Sequence, residues 1–172
     1  RDWSSDVCSS DLMPVSRWID GVLIPKDQLD QPEQVKALVY WGHSANSQTR
    51  LPEMRKAFDK LDILVNIDPI PGIASVLHDR KDGVYLLPAS TAWESYGSVT
   101  CSNRNLQWRD KVSEPIFESK PDHVIAYLLA KKFGFAKEMF KHIKVNGNEP
   151  LIEDITREWN RGMWTIGYTG QS

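Results

Sequence analysis

Three polar loops, each following a short apolar run, contain the side chains best suited to chemistry. The loops are Gly42–Ser47, Asp68–Gly72 and Pro88–Glu94. A glycine at position 42 lets a phosphate approach the backbone closely, and the helix start near Pro52 offers N–H groups and a positive dipole end. The Asp68 carboxylate can accept two hydrogen bonds from a sugar diol or from the N–H edge of a purine. These residues predict a nucleotide-type ligand.

Each of these residues also has a structural interpretation, which the residues alone leave open. Gly42 can be a turn glycine, and Asp68 can cap the short helix that follows it. For His43, donation of one hydrogen bond is favoured over metal binding, because no carboxylate or cysteine stands at metal-ligand spacing. Glu94 is a catalytic candidate, although a glutamate in such a loop is more often a turn or salt-bridge residue. Asp122 has the position of a helix N-cap.

The elements that hold these loops alternate between strand and helix patterns. Short apolar runs at 35–40, 63–67 and 84–87 predict strands. Apolar residues from Met54 to Leu61 recur at helical spacing, and residues 73–77 predict a second, short helix. Near-continuous apolar strands separated by helices are typical of a parallel sheet covered on both faces. The predicted fold class is α/β, a parallel sheet with flanking helices, and ligands bind beyond the carboxyl ends of such strands.

The remaining segments show weaker patterns. Residues 13–31 and 97–108 have no clear period and are predicted to be irregular. Helices are predicted at 122–132, 136–142 and 152–160, with a turn before the last of them.

Residues 1–12 do not resemble native protein. They have no apolar period and no signal-peptide core, and they match the translation of a common sequencing adapter, Asp-Val-Cys-Ser-Ser-Asp-Leu; the alternative is a disordered, Ser-rich N-terminus. They hold one of the 21 basic and three of the 23 acidic residues, so 20 of each remain and the formal charge changes from −2 to zero. We expect 13–34 to be an irregular lead-in and 35–172 to be one α/β domain, incomplete at both ends.

Composition excludes several classes of protein. A zero net charge argues against a nucleic-acid binder, which would show a basic excess. No apolar run reaches the roughly 18–20 residues of a transmembrane helix. Without Cys8, Cys101 is the only cysteine, which excludes an internal disulfide and a self-contained iron–sulfur or Cys-rich zinc site.

Five runs resemble the major subunits of respiratory, membrane-linked formate dehydrogenases, which belong to the molybdopterin oxidoreductases. These runs are Val39–Arg50, Lys81–Pro88, Ser102–Trp108, Glu153–Gly162 and Gly167–Ser172, and the resemblance covers nearly all of 13–172. The Gly-x-x-x-Asn loop, the strand ending in Asp, and Leu-Pro followed by Glu-x-x-Gly are shared across the molybdopterin oxidoreductases. The Arg-Lys-Asp-Gly stretch and the C-terminal third point to the formate dehydrogenases.

The resemblance implies a catalytic subunit that oxidises formate to carbon dioxide. Such subunits hold molybdenum or tungsten on two molybdopterin guanine dinucleotides, with one [4Fe–4S] cluster and a selenocysteine or cysteine on the metal. Implied partners are the rest of the catalytic subunit, an iron–sulfur β subunit and a cytochrome b γ subunit, in a periplasmic, membrane-associated complex. The cluster cysteines, the metal-binding residue and the catalytic histidine are absent from this chain. We therefore expect no catalytic residue and no metal ligand here, and no formate dehydrogenase activity from the chain alone.

The region that matches is the second α/β domain, which holds the guanine dinucleotide end of one pterin. The resemblance implies six cofactor-binding positions: Gly42, His43, Asn46, Asp68, Ser95 and Asp122. The first three would face the pyrophosphate and pterin, the fourth the guanine ring, and the last two the nucleotide or ribose. One departure is Gly72, where many relatives have a threonine whose hydroxyl contact would be missing.

Two alternatives stay open at this point. One is a stand-alone nucleotide-binding or scaffold module of flavodoxin-like build, and the other is a molybdopterin oxidoreductase with another substrate, such as nitrate. If the chain is one piece of a larger domain, its three-stranded sheet should expose apolar surface, because sheet faces and edges normally pack on neighbouring segments.

Overall fold

The computed structural model describes residues 17–29, 31–100 and 106–162. The proposed adapter segment and Cys101 lie outside these residues. The chain forms two units, which divide between Leu87 and Pro88.

The first unit is built on a three-stranded parallel sheet, which confirms the predicted α/β fold class. Its strands β1 (Ala37–Trp41), β2 (Ile63–Asp68) and β3 (Val84–Pro88) lie in that order. β1 and β2 pair in parallel, with Leu38 opposite Leu64. The three predicted strands are all present. Their apolar runs could be recognised in the sequence because each is several residues long and is bounded by turn residues.

Two helices pack on one face of this sheet. α2 (Leu51–Lys60) is the predicted helix, with a proline in its first turn. α1 (Trp18–Leu23) falls in a segment predicted to be irregular, so that prediction was wrong for these residues. A helix of six residues is shorter than two turns, so it shows no readable period and depends on tertiary packing for its stability.

Aromatic contacts join the two helices to the sheet. The rings of Trp18 and Phe58 stack with centroids 5.3 Å apart, and Tyr40 meets Phe58 edge-on at 5.9 Å. All three side chains are at least nine-tenths buried. This cluster is the core of the first unit, and it lies directly below the end of β1.

The other face of the sheet is open. Val39, Ile63 and Tyr85 are 52%, 44% and 55% exposed, and the parallel register places Val39 and Ile63 on the face opposite Leu38 and Leu64. The prediction that both faces are covered is therefore wrong for the described part of the chain. The expectation of exposed apolar surface on a three-stranded sheet is confirmed.

The carboxyl end of α2 is closed by Arg80. Its guanidinium donates hydrogen bonds to the carbonyl of Phe58 at 3.0 Å, to that of Leu61, and to that of Asp62 at 2.9 Å. Phe58 lies in the last turn of α2, where carbonyls have no partner within the helix, and Leu61 and Asp62 follow directly after the helix. Gly83 lies against the same group at φ +64°, where a Cβ would stand 2.5 Å from the Asp62 oxygen. The Arg-Lys-Asp-Gly stretch thus ties the end of α2 to the start of β3.

The second unit contains two antiparallel strand pairs and three helices. They are β4 (Gly97–Thr100), β5 (Leu106–Arg109), α3 (Asp122–Phe133), α4 (Ala136–Met139), β6 (Val145–Asn146), β7 (Glu149–Pro150) and α5 (Ile152–Gly162). The three predicted helices are present. The prediction of irregular structure across 97–108 was wrong, because β4 and β5 pair with each other. Within the described ranges, no helix is both long enough and apolar enough to cross a membrane.

Replacing Gly83 by alanine should destabilise the first unit more than the same change at Gly42. Both glycines have positive φ, at +64° and +57°, so both variants place alanine in a strained conformation. Only at position 83 would the added Cβ collide with backbone, and overpacking of this kind typically costs about 1–3 kcal/mol. Urea unfolding of Gly83→Ala against Gly42→Ala measures the difference. Equal losses of stability would contradict the packing at the end of α2.

Candidate functional site

The first two predicted loops lie next to each other at the carboxyl ends of β1 and β2. The Gly42 N–H donates to the carbonyl of Ile67 at 2.9 Å, which extends the strand pairing by one residue. The 3₁₀ turns Ala45–Ser47 and Ile73–Ser75, one in each connection, contact each other. The structure thus brings four predicted residues to one edge of the sheet: Gly42, His43, Asn46 and Asp68.

The first loop leaves space beside its backbone at Gly42. This residue has φ +57°, and no heavy atom beyond its chain neighbours lies within 4 Å of the position that a Cβ would occupy. The left-handed conformation explains why glycine stands here. The open space means that a ligand can approach the backbone without meeting a side chain.

Asn46 presents hydrogen-bond donors. Ser44 Oγ donates to Asn46 Oδ1, and Ser47 Oγ donates to the carbonyl of Ser44 at 2.7 Å. The side-chain oxygen of Asn46 is therefore occupied within the loop. Asn46 is exposed, so its amide nitrogen can donate two N–H groups to a ligand.

His43 is exposed and is held on two sides. Its Nε2 lies 2.9 Å from Gln48 Nε2, and its ring centroid lies 5.6 Å from that of Tyr40. Among the residues that the structure describes, no group of three or more His, Cys, Asp or Glu side chains could hold a metal ion. The surroundings of His43 are thus those of a hydrogen-bonding residue.

Asp68 ends β2 and closes a local turn. Its Oδ1 accepts a hydrogen bond from the backbone N–H of Ile70 at 3.3 Å, as in an Asx turn. The following 3₁₀ turn is preceded instead by Gly72, without a side-chain cap, so the interpretation of Asp68 as a helix cap is wrong. The second carboxylate oxygen has no protein partner in the described part of the chain and can accept from a ligand. Around Gly72 a Cβ would meet no atom within 4 Å, so a threonine would fit there.

Two buried polar residues below this edge were not predicted. Tyr40 and Asn66 are opposite each other in the register of β1 and β2, and each is 7% exposed. Within the part of the chain that the structure describes, the Tyr40 hydroxyl and Asn66 Nδ2 have no hydrogen-bond partner, and burial raises the pKa of Tyr40 to about 12. A polar residue inside an apolar strand was the signal that could have identified Asn66.

Ser95 and Asp122 lie in the second unit and line one cleft of about 440 Å³ there. His123 also lines it, and burial lowers the pKa of His123 below its ordinary value of 6.5, partly offset by the carboxylates of Asp122 and Glu149. α3 begins at Asp122 itself, while Pro121 holds the cap position without a side-chain hydrogen bond. The predicted N-cap role of Asp122 is therefore wrong.

Glu94 is a turn residue. It is 7% exposed, and its Oε2 accepts hydrogen bonds from the backbone N–H of Thr91 at 2.7 Å and from Thr91 Oγ1 at 2.9 Å. These hydrogen bonds hold the pKa of Glu94 below its ordinary value of 4.5. A carboxylate with these hydrogen bonds holds the conformation of its own loop. Glu94 therefore has the turn role that the sequence analysis gave as the alternative to catalysis.

Comparison with known proteins finds relatives among larger redox enzymes, whereas no family model matches the chain. A trimethylamine-N-oxide reductase of Vibrio cholerae is 30% identical over 90% of this chain and 21% of its own length. A trimethylamine-N-oxide reductase of Vibrio vulnificus is 33% identical over 73% of this chain and 16% of its own length. A putative formate dehydrogenase of Staphylococcus aureus is 33% identical over 59% of this chain and 10% of its own length.

These relatives are oxidoreductases, and the similarity supports the molybdopterin oxidoreductase superfamily. The chain spans about a fifth or less of the length of the curated relatives it matches. The relatives include enzymes named for two different substrates, so the similarity supports the superfamily and not one reaction.

Removing the Glu94 charge should lower stability in a pH-dependent manner. Because the pKa of Glu94 is lowered on folding, its stabilising contribution is complete above the ordinary value and is lost as the pH falls through the folded-state value. Glu94→Gln should therefore unfold more readily than the parent at pH 7, and the difference should narrow below pH 4.5. Glu138→Gln, at an exposed position of the same unit, is the control and should change little. If the difference in free energy of unfolding between Glu94→Gln and the parent stays constant down to about pH 2, this role of Glu94 is contradicted.

Proposed function

We propose that this chain is part of the catalytic subunit of a molybdopterin oxidoreductase, and that its first unit holds the guanine dinucleotide end of the pterin cofactor. The observation that carries the proposal is the edge formed by Gly42, His43, Asn46 and Asp68. It combines open backbone, exposed hydrogen-bond donors and one available carboxylate oxygen. The similarity to much longer oxidoreductases supports the same proposal.

The residues present fit the chemistry of such a group. Pyrophosphate oxygens accept hydrogen bonds only, which matches the exposed amide of Asn46 and a ring N–H of His43, while the open space at Gly42 lets the group approach the backbone. The N–H edge of guanine is a donor, which matches the carboxylate of Asp68. When bound, the cofactor supplies two-electron redox chemistry at its metal. The residues of this chain bind and orient its nucleotide end.

Formate oxidation is the proposed reaction of the whole enzyme. The five residue runs that resemble formate dehydrogenases support it, and a putative formate dehydrogenase is among the relatives. On this proposal the [4Fe–4S] cluster, the metal-binding residue and the iron–sulfur and cytochrome b partner subunits belong to the rest of a periplasmic complex. Ser95 and Asp122 stay predictions for nucleotide or ribose contacts.

Reduction of trimethylamine N-oxide is a second candidate, since a reductase named for that substrate is 30% identical over 90% of this chain. Both candidate reactions are compatible with the residues of the candidate edge. These residues form a nucleotide-binding edge, whereas substrate choice is made at the metal.

Removing the carboxylate of Asp68 should weaken binding of a guanine nucleotide. A hydrogen bond to a charged group contributes about 1.5–3 kcal/mol, so Asp68→Ala should raise the Kd for GDP roughly 10- to 100-fold. Asp27→Ala removes an exposed carboxylate of the same unit and should leave the Kd unchanged. Titration calorimetry with GDP, and with ADP for base specificity, measures both variants. An unchanged Kd in Asp68→Ala would remove the proposed role of Asp68 and favour a different kind of α/β module.

The reaction itself is tested on the full-length protein that contains this sequence. Formate-dependent reduction of a viologen dye is expected from the whole enzyme, and none is expected from the present chain alone, because the described residues contain no metal-binding cluster. Oxidation of reduced dye by trimethylamine N-oxide, without formate activity, would establish the second candidate. Formate-dependent dye reduction by the chain alone would overturn its assignment as a cofactor-holding part.

A further inference from the structure

Two residues outside the predicted site are connected to His43 by hydrogen bonds. Trp18 Nε1 lies 3.2 Å from Gln48 Oε1, and Gln48 Nε2 lies 2.9 Å from His43 Nε2. Trp18 is 7% exposed and stacks on Phe58, which is fully buried. The start of this series is therefore fixed in the core, while its end, His43, lies at the exposed loop.

The chemistry of Trp18 sets the orientation of the Gln48 amide. An indole N–H can only donate a hydrogen bond, so its partner must be the oxygen of the amide. The amide nitrogen of Gln48 is then the atom that faces His43. Turning the amide over would place two donors against each other at Trp18, which is 7% exposed.

The orientation of Gln48 in turn sets the proton position on His43. An amide nitrogen donates and does not accept, so His43 Nε2 must be the acceptor. In a neutral imidazole one ring nitrogen accepts while the other holds the proton. The proton of neutral His43 therefore lies on Nδ1, although an unconstrained histidine in water favours the other tautomer. No residue in the described part of the chain accepts a hydrogen bond from Nδ1.

We propose that Trp18 and Gln48 are positioning residues, which fix neutral His43 as an Nδ1–H donor directed to an anionic oxygen of a bound ligand. That the oxygen belongs to a nucleoside diphosphate rests on the proposed function, whereas the tautomer does not. Contact with the Tyr40 ring restrains the imidazole plane from the side. A donor of fixed polarity suits an acceptor-only diphosphate, since no reorientation of a proton is needed on binding.

The tautomer can be measured without any ligand. In the ¹⁵N-labelled chain at pH 9, where exposed imidazoles are neutral, His43 Nε2 should resonate in the range of an unprotonated ring nitrogen and Nδ1 in that of a protonated one. The exposed ring of His142 serves as the internal reference and should show the opposite preference. Protonated Nε2 in the parent chain would overturn the proposal.

Two variants separate positioning from a structural role. Gln48→Glu keeps an acceptor for Trp18 but offers a second acceptor to His43, so the proton should move to Nε2 and the two ¹⁵N positions should exchange. Gln48→Met removes both hydrogen bonds and should return His43 to the reference pattern. Gln48 is only half-buried, so both variants should fold, which circular dichroism checks. A tautomer that does not respond to either change would contradict the role of Gln48.

Binding of GDP then tests the donor role. At pH 9, His43→Phe, which removes the donor without adding a charge, should raise the Kd about tenfold, the usual effect of losing one hydrogen bond to a charged group. Weaker binding in Asp68→Ala but unchanged binding in His43→Phe would overturn the donor role of His43 while the proposed function stands. If the parent chain shows the expected tautomer but does not bind GDP, the proposed function fails and the positioning by Trp18 and Gln48 is supported by the spectra.

Discussion

The stacked contact between Trp18 and Phe58 supports both the core of the first unit and its functional edge. It joins α1 to α2, and through Tyr40 it joins both helices to β1. The same indole holds Gln48, which holds His43. The loop also has hydrogen bonds of its own, from Ser44 to Asn46 and from Ser47 to Ser44. The buried indole adds a connection from this loop to the core.

The two faces of the sheet differ in what covers them, and the candidate residues lie apart from both faces. One face is covered by α1 and α2, whereas the other exposes Val39, Ile63 and Tyr85. The candidate binding residues lie on neither face, because the carboxyl ends of parallel strands project their loops beyond the sheet edge. Arg80 and Gly83 act at the opposite end of the strands, where they close α2 and start β3. Residues that the resemblance groups together thus divide between the candidate edge and the packing at the end of α2.

The candidate edge presents hydrogen-bonding groups. Its exposed groups are hydrogen-bond donors at His43 and Asn46 and an acceptor at Asp68, and none is paired with a nucleophile or a metal cluster in the described residues. Glu94, a buried carboxylate with a lowered pKa at the end of the third predicted loop, accepts its hydrogen bonds within its own turn. Such an arrangement is suited to hydrogen bonding with a ligand, as the proposed function requires.

The sequence by itself determined the three strands, α2, the helices of the second unit and the loops at the strand ends, because these depend on local periodicity and turn residues. The pattern of parallel strands also placed the loops at 42–47 and 68–72 at one end of the sheet, whereas the resemblance supplied the individual positions Gly42, His43, Asn46 and Asp68, together with Ser95 and Asp122. The sequence could not show α1, the pairing of β4 with β5, or which face of the sheet is covered. Nor could it show that Trp18 and Gln48 reach His43. Those features depend on contacts between residues distant in sequence, and only the tertiary structure decides which distant side chains meet.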